Sequence, residues 1–433
     1  MNLLATMGWR FFSILVVSAN SMVLFVYAFF ARPVQDDYVT LEQLSKGSVL
    51  TPSNELIQHW GGNVVSVLIR STLLFPAQFR NHFVGLRLFV FLTFALLMIA
   101  VYCFVKLVYG ISLSRFNTLL SASILSLALE GIFSPTSLGI YAFSAASIVH
   151  FWPLCIFTIA TYQLIQRSLY TGGILFFIGA NCNLTEGFLA VCILIVLKFM
   201  RKIDVRQFLI SISFSTLGLL AIILVPGFTE RSDLFTAELS FASILLAVLK
   251  SMVIIAVDLL SHPGGYLTLL LGLFASAKFE IKNSISASKF TLVVFILYFL
   301  GTSLGASLAY LAWHQTLGLL LLWYGLTFQI GVALTGCFAK VNALAVRNGF
   351  FVLLATLIIM NVRPIVLVVN RAHAWDKNYK QELCANLNQN FESAEIVYPP
   401  ANLGIEDIDK WKWMTQSFSY WVNHSKVSST SCS

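Results

Sequence analysis

Charged residues are scarce in this chain of 433 amino acids. They make up 11% of the sequence, while hydrophobic residues make up 58%, and the mean hydropathy is +0.83. Soluble domains carry roughly 25% charged residues, so this composition excludes an ordinary soluble globular protein. Several apolar runs exceed the roughly 18 residues that a helix needs to cross a bilayer. The sequence therefore predicts an all-α, polytopic integral membrane protein.

Several familiar chemical signatures are missing as well. The chain has no Walker loop, dinucleotide glycine fingerprint, Gly-x-Ser-x-Gly elbow or His-Glu-x-x-His pair. Its seven cysteines include no Cys-x-x-Cys spacing, which disfavours a zinc or redox centre. No internal repeat indicates the inverted halves that many transporters contain. These absences disfavour chemistry on a soluble nucleotide-linked substrate.

The excess of basic residues does not indicate a nucleic-acid partner. The formal net charge is +8, but the basic residues cluster beside apolar segments, as in Lys198–Arg206 and Lys278–Lys289. Cytoplasmic loops of membrane proteins are enriched in Lys and Arg, so the bias marks the cytoplasmic side. Arg10, before the first apolar run, then predicts a cytoplasmic amino terminus and an outer location for the polar segment 32–62.

The apolar segments predict nine to eleven transmembrane helices within a module of residues 1–369. A short amphipathic helix at 63–76 is expected at the membrane interface, and residues 370–433 form a polar outer tail. A polar break at 181–186 separates two short apolar segments. Such a break within the membrane is tolerated only where its backbone is buried in protein or lines a cavity. The predicted spans are 11–31, 83–105, 117–133, 148–166, 207–225, 239–261, 290–308, 316–338 and 349–369.

The first outer segment concentrates titratable groups in a chain that has few of them. It contains the adjacent Asp36 and Asp37 together with Glu42, Glu55 and His59. Carboxylates beside a membrane span are costly unless they face water or serve a function. The aspartates are either part of a solvated loop or a general base, since a carboxylate can accept the proton of an attacking hydroxyl. In the second case one aspartate does the chemistry and the other orients it.

Other polar residues have two interpretations each. Glu186 is either a carboxylate that a helix N-terminus favours or a second acid that accepts hydrogen bonds from sugar hydroxyls. Arg231 is either an interfacial anchor or a clamp for a phosphate, which suits the shape of its guanidinium. His59 and Trp60 form either an interfacial pair or a stacking surface for a sugar. For His314 the preferred interpretation is a residue at the end of a span.

The order of these motifs resembles that of bacterial GT-C-type membrane glycosyltransferases, and most closely the serotype-converting glucosyltransferases that modify O-antigen. The likeness runs through most of the chain, although each motif is short. The matching motifs are Asp36-Asp37-Tyr38, Trp60-Gly61, the break Gly179–Glu186 of the form Gly-Ala-Asn-x-Asn-x-Thr-Glu, Pro226–Arg231 of the form Pro-Gly-x-x-x-Arg, and the tail from Asp409-Lys410 to Ser419-Tyr420-Trp421.

The resemblance implies an inverting transferase with a GT-C-like fold in the bacterial inner membrane. It would take a sugar, glucose in the closest likeness, from a polyprenyl-phosphate carrier and pass it to O-antigen on the periplasmic face. Asp36 or Asp37 would be the base, Glu186 and Asn183 would contact substrate, and Arg231 would hold the donor phosphate. A carrier-loading glycosyltransferase and a flippase would be functional partners, and no metal or other cofactor would be required, although a carboxylate pair could bind a divalent ion.

Two departures from the family pattern affect individual contacts rather than the class. The chain reads Trp60-Gly61-Gly62-Asn63 where related proteins often have Trp-x-Gly-Arg. It has His314-Gln315 where an arginine is common. These differences concern the residues that would contact the sugar and the phosphate.

Two other functions compete with this interpretation. An O-antigen polymerase or ligase would be expected to carry a large outer loop between late spans, and the region 309–316 is too short for one. A lipid-linked glycan transporter or flippase would place charged residues inside several spans, and Lys250 and Asp258 favour it. Cys384 and Cys432 both lie in the polar tail and could form a disulfide in an oxidising compartment.

Overall fold

A computed structural model describes residues 3–33, 36–59, 62–78, 83–130, 140–141, 144–227, 241–279, 285–308, 317–334, 349, 352, 355–370, 372–373 and 376–377. Within these ranges every regular element is a helix and no strand occurs. The helices are α1 (Leu3–Phe29), α2 (Asp36–Lys46), α3 (Thr51–His59), α4 (Val64–Leu74), α5 (Val84–Tyr109), α6 (Arg115–Glu130), α7 (Ser144–Ile165), α8 (Leu169–Ala180), α9 (Leu184–Phe199), α10 (Val205–Ile223), α11 (Phe241–Ser261), α12 (Pro263–Phe279), α13 (Ile285–Leu308), α14 (Leu317–Leu334) and α15 (Ala355–Asn370).

Five of the described helices are long and apolar enough to cross a membrane. They are Arg10–Phe29 of α1, α5, α7, α10 and Ala242–Ser261 of α11. Shorter apolar stretches accompany them, including α8, α15 and parts of α12, α13 and α14. Large apolar side chains are exposed on these helices, for example Met22 and Phe25 of α1, as expected for lipid-facing surfaces. The all-helical fold is confirmed and is compatible with a polytopic membrane protein, while the count of nine to eleven spans stays a prediction.

The segment 32–62, expected as an open loop, contains two short helices instead. Leu41 and Leu44 lie one turn apart in α2 and are both buried, which gives the polar helix an apolar edge. That edge faces neighbouring helices, since α2 packs against α3 and α4. The Gln78 side chain also donates a hydrogen bond to the Leu41 carbonyl. The helix expected near 63–76 is present as α4, so the segment after α1 is a packed layer of three short helices.

Contacts between helices define two ends of the bundle. Helices α5 and α7 run in the same direction, because Phe89 stacks on Trp152 and Tyr102 contacts Tyr162. Helix α14 runs in the same direction as α5 and α7, because its start lies beside His150 and its later part contacts Tyr109. The starts of these three helices therefore share one end of the bundle, together with α2, and their last residues share the other.

The two ends differ in charge. Described basic residues gather where α5 and α7 end, and Asp204 is the acidic residue that the structure describes among them. Most described carboxylates lie toward the opposite end, near the start of α7, but Arg32, Lys46 and Arg87 also lie there, so this end carries both signs of charge. The basic group consists of Arg10, Lys106, Arg115, Arg167, Lys198, Arg201, Lys202, Arg206 and Lys289, and the acidic group consists of Asp36, Asp37, Glu42, Glu55, Glu130 and Asp376.

Glu130 is a buried carboxylate within the predicted span 117–133. It is the last residue of α6 and is 1% exposed. Its Oε1 accepts a hydrogen bond from the Tyr141 backbone amide. The residue is buried because the chain at Ile140 and Tyr141 returns against the end of α6.

Helices α12 and α14 approach each other closely through two glycines. A Cβ atom at Gly272 would lie 2.1 Å from the Phe328 carbonyl oxygen, and one at Gly331 would lie 2.1 Å from the Leu269 carbonyl oxygen. Both positions therefore require the absence of a side chain. Small residues at helix contacts in membranes allow this kind of backbone approach.

We predict that Gly272→Ala lowers stability by about 1–3 kcal/mol, because the added methyl group forces α12 away from α14. The matched control is Gly301→Ala in α13, where the nearest atom to a Cβ would be 3.9 Å away. That change should be neutral or stabilise the helix by up to about 1 kcal/mol. Thermal unfolding of the two variants in detergent measures the difference, and equal melting temperatures would contradict the close approach.

Candidate functional site

Glu186 lies at the centre of a buried polar cluster. Its side chain is 1% exposed, and its Oε1 accepts a hydrogen bond of 2.7 Å from the Tyr298 hydroxyl. His150 Nδ1 lies 3.2 Å from the same oxygen. Because these residues belong to α9, α13 and α7, three helices converge on one carboxylate. A carboxylate away from water needs such partners, since burying an unsolvated charge is very costly.

The second oxygen of Glu186 has a different environment. Oε2 is buried and accepts no hydrogen bond from the residues that the structure describes. A buried acceptor without a partner costs about 1–3 kcal/mol, and such groups in native structures call for a functional or solvent explanation. Glu186 Oε2 is therefore a buried acceptor whose hydrogen-bonding capacity is not used by the described residues.

Asn183 orients the histidine of this cluster. It is the N-cap residue of α9, yet its side chain makes no capping hydrogen bond. Its Nδ2 lies 3.4 Å from His150 Nδ1 instead. Because Nδ1 carries at most one hydrogen, it either donates to Glu186 or accepts from Asn183. Both arrangements keep the imidazole turned toward the start of α9.

Asn181 holds the same turn against two other helices. Its Oδ1 accepts a hydrogen bond of 2.9 Å from the Val65 amide. Its Nδ2 donates to the carbonyls of Gly62 and Gly218, at 3.0 and 3.1 Å. These bonds join the end of α8 to the start of α4 and to α10. The polar break between α8 and α9 is thus surrounded by protein, which is the condition for irregular backbone at membrane depth.

Gly318 allows α14 to begin against this cluster. A Cβ atom there would lie 2.5 Å from the Tyr298 hydroxyl oxygen and 2.7 Å from the His150 carbonyl oxygen. A side chain at this position would therefore displace the tyrosine that donates to Glu186. The absence of a side chain at Gly318 is therefore required both by the polar cluster and by the packing of α14.

Asp37 is another buried carboxylate. It is the second residue of α2 and is 1% exposed. Its Oδ1 accepts a hydrogen bond of 2.7 Å from the Ser144 hydroxyl. A position in the first turn also favours the negative charge, because the helix dipole is positive there. The buried setting argues against the solvated-loop interpretation for Asp37.

One helix contacts both carboxylates. Ser144 and His150 belong to α7, and their separation along the axis is roughly 9 Å at 1.5 Å per residue. The segment Ser147–Phe151, which includes His150, is a π-helical turn. Such turns are rare and occur frequently at functional sites. Helix α7 therefore sets the position of Asp37 relative to Glu186.

An ion pair joins the region after α15 to the start of the first polar segment. Arg32 binds Asp376 through two hydrogen bonds of 2.8 Å, from Nε to Oδ1 and from Nη2 to Oδ2. The Arg32 guanidinium also lies over the Phe83 ring. A cavity of about 20 Å³ is lined by residues that include Arg32, Tyr141 and Ser144, so Arg32 and the serine that donates to Asp37 border the same space.

The structure places only part of the predicted site. Asn183 and Glu186 are brought together, and Asp37 is joined to them through α7. The backbone of Asp36 begins α2, and its side chain lies outside the described atoms. His59 ends α3 with its side chain 52% exposed, 4.0 Å from Glu55, and is not part of either carboxylate cluster. Trp60, Arg231 and His314, like Cys384 and Cys432, lie outside the described residues.

Sequence reasoning missed His150, Tyr298 and Ser144. His150 carried a usable signal, because a titratable residue within an apolar segment is expensive and marks a functional candidate. Tyr298 and Ser144 carried none, since tyrosine and serine are ordinary residues in membrane helices. Their roles arise from contacts with Glu186 and Asp37 over long sequence separations.

Comparison with known proteins gives no family assignment: no family model, no curated protein and no solved structure matches this chain. Among the described residues, no group of three His, Cys, Asp or Glu side chains is close enough to hold a metal ion. Cys103, Cys155 and Cys182 are free thiols buried in the helical core, as expected for small apolar residues.

We predict that Tyr298→Phe lowers the free energy of unfolding by about 1–3 kcal/mol, because it removes a donor from a buried carboxylate. Tyr170→Phe is the matched control, since Tyr170 is 63% exposed. The loss of unfolding free energy should be smaller when Tyr298→Phe is made in a Glu186→Gln background, because no charge there needs the hydroxyl donor. Chemical unfolding of the original protein, the two single variants and the double variant measures the coupling energy between the two residues. An unchanged loss in the Glu186→Gln background would contradict the predicted coupling.

Proposed function

We propose that this chain is a membrane glycosyltransferase that moves a sugar from a polyprenyl-phosphate carrier to O-antigen or a related surface polysaccharide. The observation that carries the proposal is the pair of buried carboxylates, Asp37 and Glu186, which one helix positions toward the acidic end of the bundle. The order of sequence motifs supports the class, and the resemblance favours glucose as the sugar. An apolar bundle with two buried, hydrogen-bonded carboxylates suits a donor that is itself a lipid.

The proposed reaction is a direct displacement at the anomeric carbon. The acceptor hydroxyl oxygen forms a bond to this carbon as the bond to the carrier phosphate oxygen breaks, so the configuration inverts. The hydroxyl proton passes to a carboxylate acting as general base. Polyprenyl phosphate leaves as an anion and needs no protonated acid, but a cation such as Arg231 would stabilise its charge.

We assign the base to Asp36 and an orienting role to Asp37. A general base must reach the proton that it abstracts, and one oxygen of Asp37 is already held by the Ser144 hydroxyl. Asp37 therefore suits the anchoring of α2, which leaves its neighbour for proton transfer.

Glu186 is proposed to bind the sugar. Its Oε1 is occupied by Tyr298 and faces His150, so its Oε2 is the oxygen that would accept a hydrogen bond from a sugar hydroxyl. Asn183 would act through His150. Trp60, His59 and His314 remain sequence-based candidates for contacts with the sugar or the carrier.

The charge asymmetry supports a bacterial inner-membrane location with the site on the periplasmic side. Basic residues are enriched on the cytoplasmic side of membrane proteins, and the described basic end lies opposite the Asp37 end. A polyprenyl-linked donor used on the outer side requires prior loading of the carrier and its transfer across the membrane. A carrier-loading glycosyltransferase and a flippase are therefore the expected functional partners, with membrane lipids as surroundings, and neither nucleic acid nor a cofactor is required.

A transporter or flippase is the second candidate. Asp258 and His262 lie one turn apart at the end of α11, and His262 is 7% exposed. Titratable groups within apolar helices can relay protons or bind cargo. This function predicts no change in the structure of the polysaccharide repeat, which separates it from the transferase.

We predict that Asp36→Asn lowers transfer by about 10²–10⁴-fold, the usual contribution of a general base, without loss of thermal stability. Asp37→Asn should lower both transfer and the melting temperature, because it weakens the contact with Ser144. Glu42→Gln on the same helix is the matched control and should keep activity. Transfer is measured in membranes supplied with labelled polyprenyl-phosphate glucose and O-antigen, and by mass and linkage analysis of O-antigen from cells.

The same measurements separate the competing functions. Full activity of both Asp36→Asn and Asp37→Asn would refute the assignment of the base. An unchanged repeat with altered chain length would favour a polymerase, and an unchanged polysaccharide would favour the transporter.

We predict that Glu186→Gln raises the KM for the donor more than it lowers kcat, because the amide keeps the shape but loses the charge that binds a sugar hydroxyl. Cys192→Ser is the control, because it is a similarly small change in the same helix but away from the cluster, and it should leave both constants unchanged. Steady-state transfer with varied donor concentration measures both constants. An unaltered KM in a folded Glu186→Gln protein would remove Glu186 from the sugar site.

A further inference from the structure

A second cavity lies in the part of the bundle nearer the basic end. Its volume is about 410 Å³, within the roughly 300–1,000 Å³ typical of sites for small molecules. It separates α5, α6 and α7 on one side from α12, α13 and α14 on the other. Its walls are mainly apolar and include Leu97, Phe104, Leu120, Leu154, Leu321 and Phe328.

The cavity extends from the level of the Glu186 cluster toward the basic end. Leu154 and Leu321 line it, and they lie roughly 6 and 4.5 Å along their helix axes from His150 and Gly318, at 1.5 Å per residue. On α5 the lining begins at Leu97 and continues to Tyr109 at the end of that helix. The start of α5, at the end of the bundle that holds Asp37, is roughly 20 Å along the axis from Leu97. The part of the cavity near Tyr109 is therefore far from Asp37.

Polar and basic groups gather where the cavity meets the α5–α6 connection. Tyr109, Ser112 and Asn117 line this part of the cavity, and Lys106 donates a hydrogen bond to the Ser112 hydroxyl. Arg115 begins α6 three residues later and is exposed. The sequence from Val84 to Leu129 contains no acidic residue, and Glu130 lies at the far end of α6, so no carboxylate near the α5–α6 connection in this hairpin offsets the two cations.

We propose that the cavity binds an anionic glycerophospholipid of the bilayer leaflet at the basic end. One acyl chain occupies the apolar space, and the headgroup phosphate lies against Lys106 and Arg115. The mainly apolar walls of the cavity suit a hydrocarbon chain. Anionic headgroups are attracted to cations beside the membrane by about 1 kcal/mol for each cation. This site is independent of the proposed transferase activity.

Gly325 gives a way to fill the cavity without disturbing the helix contacts. It lines the space, and a Cβ atom there would meet Phe104 at 3.6 Å, an ordinary van der Waals distance. Gly325→Leu therefore places its side chain in the cavity. Ile330 lies on the same helix with its side chain 40% exposed, so Ile330→Phe adds volume outside the cavity and serves as the control.

The test uses the full chain in phosphatidylcholine nanodiscs that contain phosphatidylglycerol with a diazirine near the end of one acyl chain. After irradiation, mass spectrometry should find adducts on Leu120–Leu125 and Leu321–Phe328. Gly325→Leu should remove most of these adducts, and Ile330→Phe should retain them. Lys106→Gln and Arg115→Gln should each lower labelling by about five-fold, whereas Lys202→Gln at the same end of the bundle should not.

Each other outcome overturns the proposal. Equal labelling by a diazirine phosphatidylcholine would remove the role of the headgroup charge, and persistent adducts in a folded Gly325→Leu protein would place the acyl chain elsewhere. Displacement of the probe by equimolar polyprenyl phosphate, but not by unlabelled phosphatidylglycerol, would assign the cavity to an isoprenoid. Thermal unfolding confirms that each variant is folded, and the two surface variants, Lys106→Gln and Arg115→Gln, test the site if Gly325→Leu is unstable.

Discussion

The solvation of the Glu186 carboxylate by protein groups is the interaction on which the arrangement of the central helices depends. A buried carboxylate in an apolar bundle requires donors, and Tyr298 and His150 bring α13 and α7 to the start of α9 for this purpose. Gly318 then lets α14 begin close to both of these residues. One polar group thus determines where four helices meet, because leaving it unsolvated would cost more than one packing contact gains.

Helix α7 connects this cluster to the start of the first polar segment. Its first residue, Ser144, binds Asp37, and its π-helical turn ends beside His150. A substrate that touched one carboxylate would therefore be held at a defined distance from the other. The bidentate pair between Arg32 and Asp376 supports the same region from outside, because it ties the chain after α15 to the end of α1.

The sequence predicted the helices better than the contacts between them. Apolar length alone indicated α1, α5, α7 and α10, and the polar break at 181–186 was correctly expected to need surrounding protein. The helices within 32–62 were missed, because their polar composition resembles a loop and only Leu41 and Leu44 mark a buried edge. Asp37 and Glu186 were selected from the sequence as unusual carboxylates, whereas Ser144 and Tyr298 gave no signal.

Composition and the placement of charge determined the class of this protein, because the bilayer accepts only chains whose backbone groups are satisfied within helices or barrels. They also determined the cluster of basic residues at one end. Tertiary structure alone decided which polar residues meet: Tyr298 is 112 residues from Glu186, and Ser144 is 107 from Asp37. The physical reason is that helix periodicity is local and can be read from neighbouring residues, while the partner of a buried carboxylate depends on how distant helices pack.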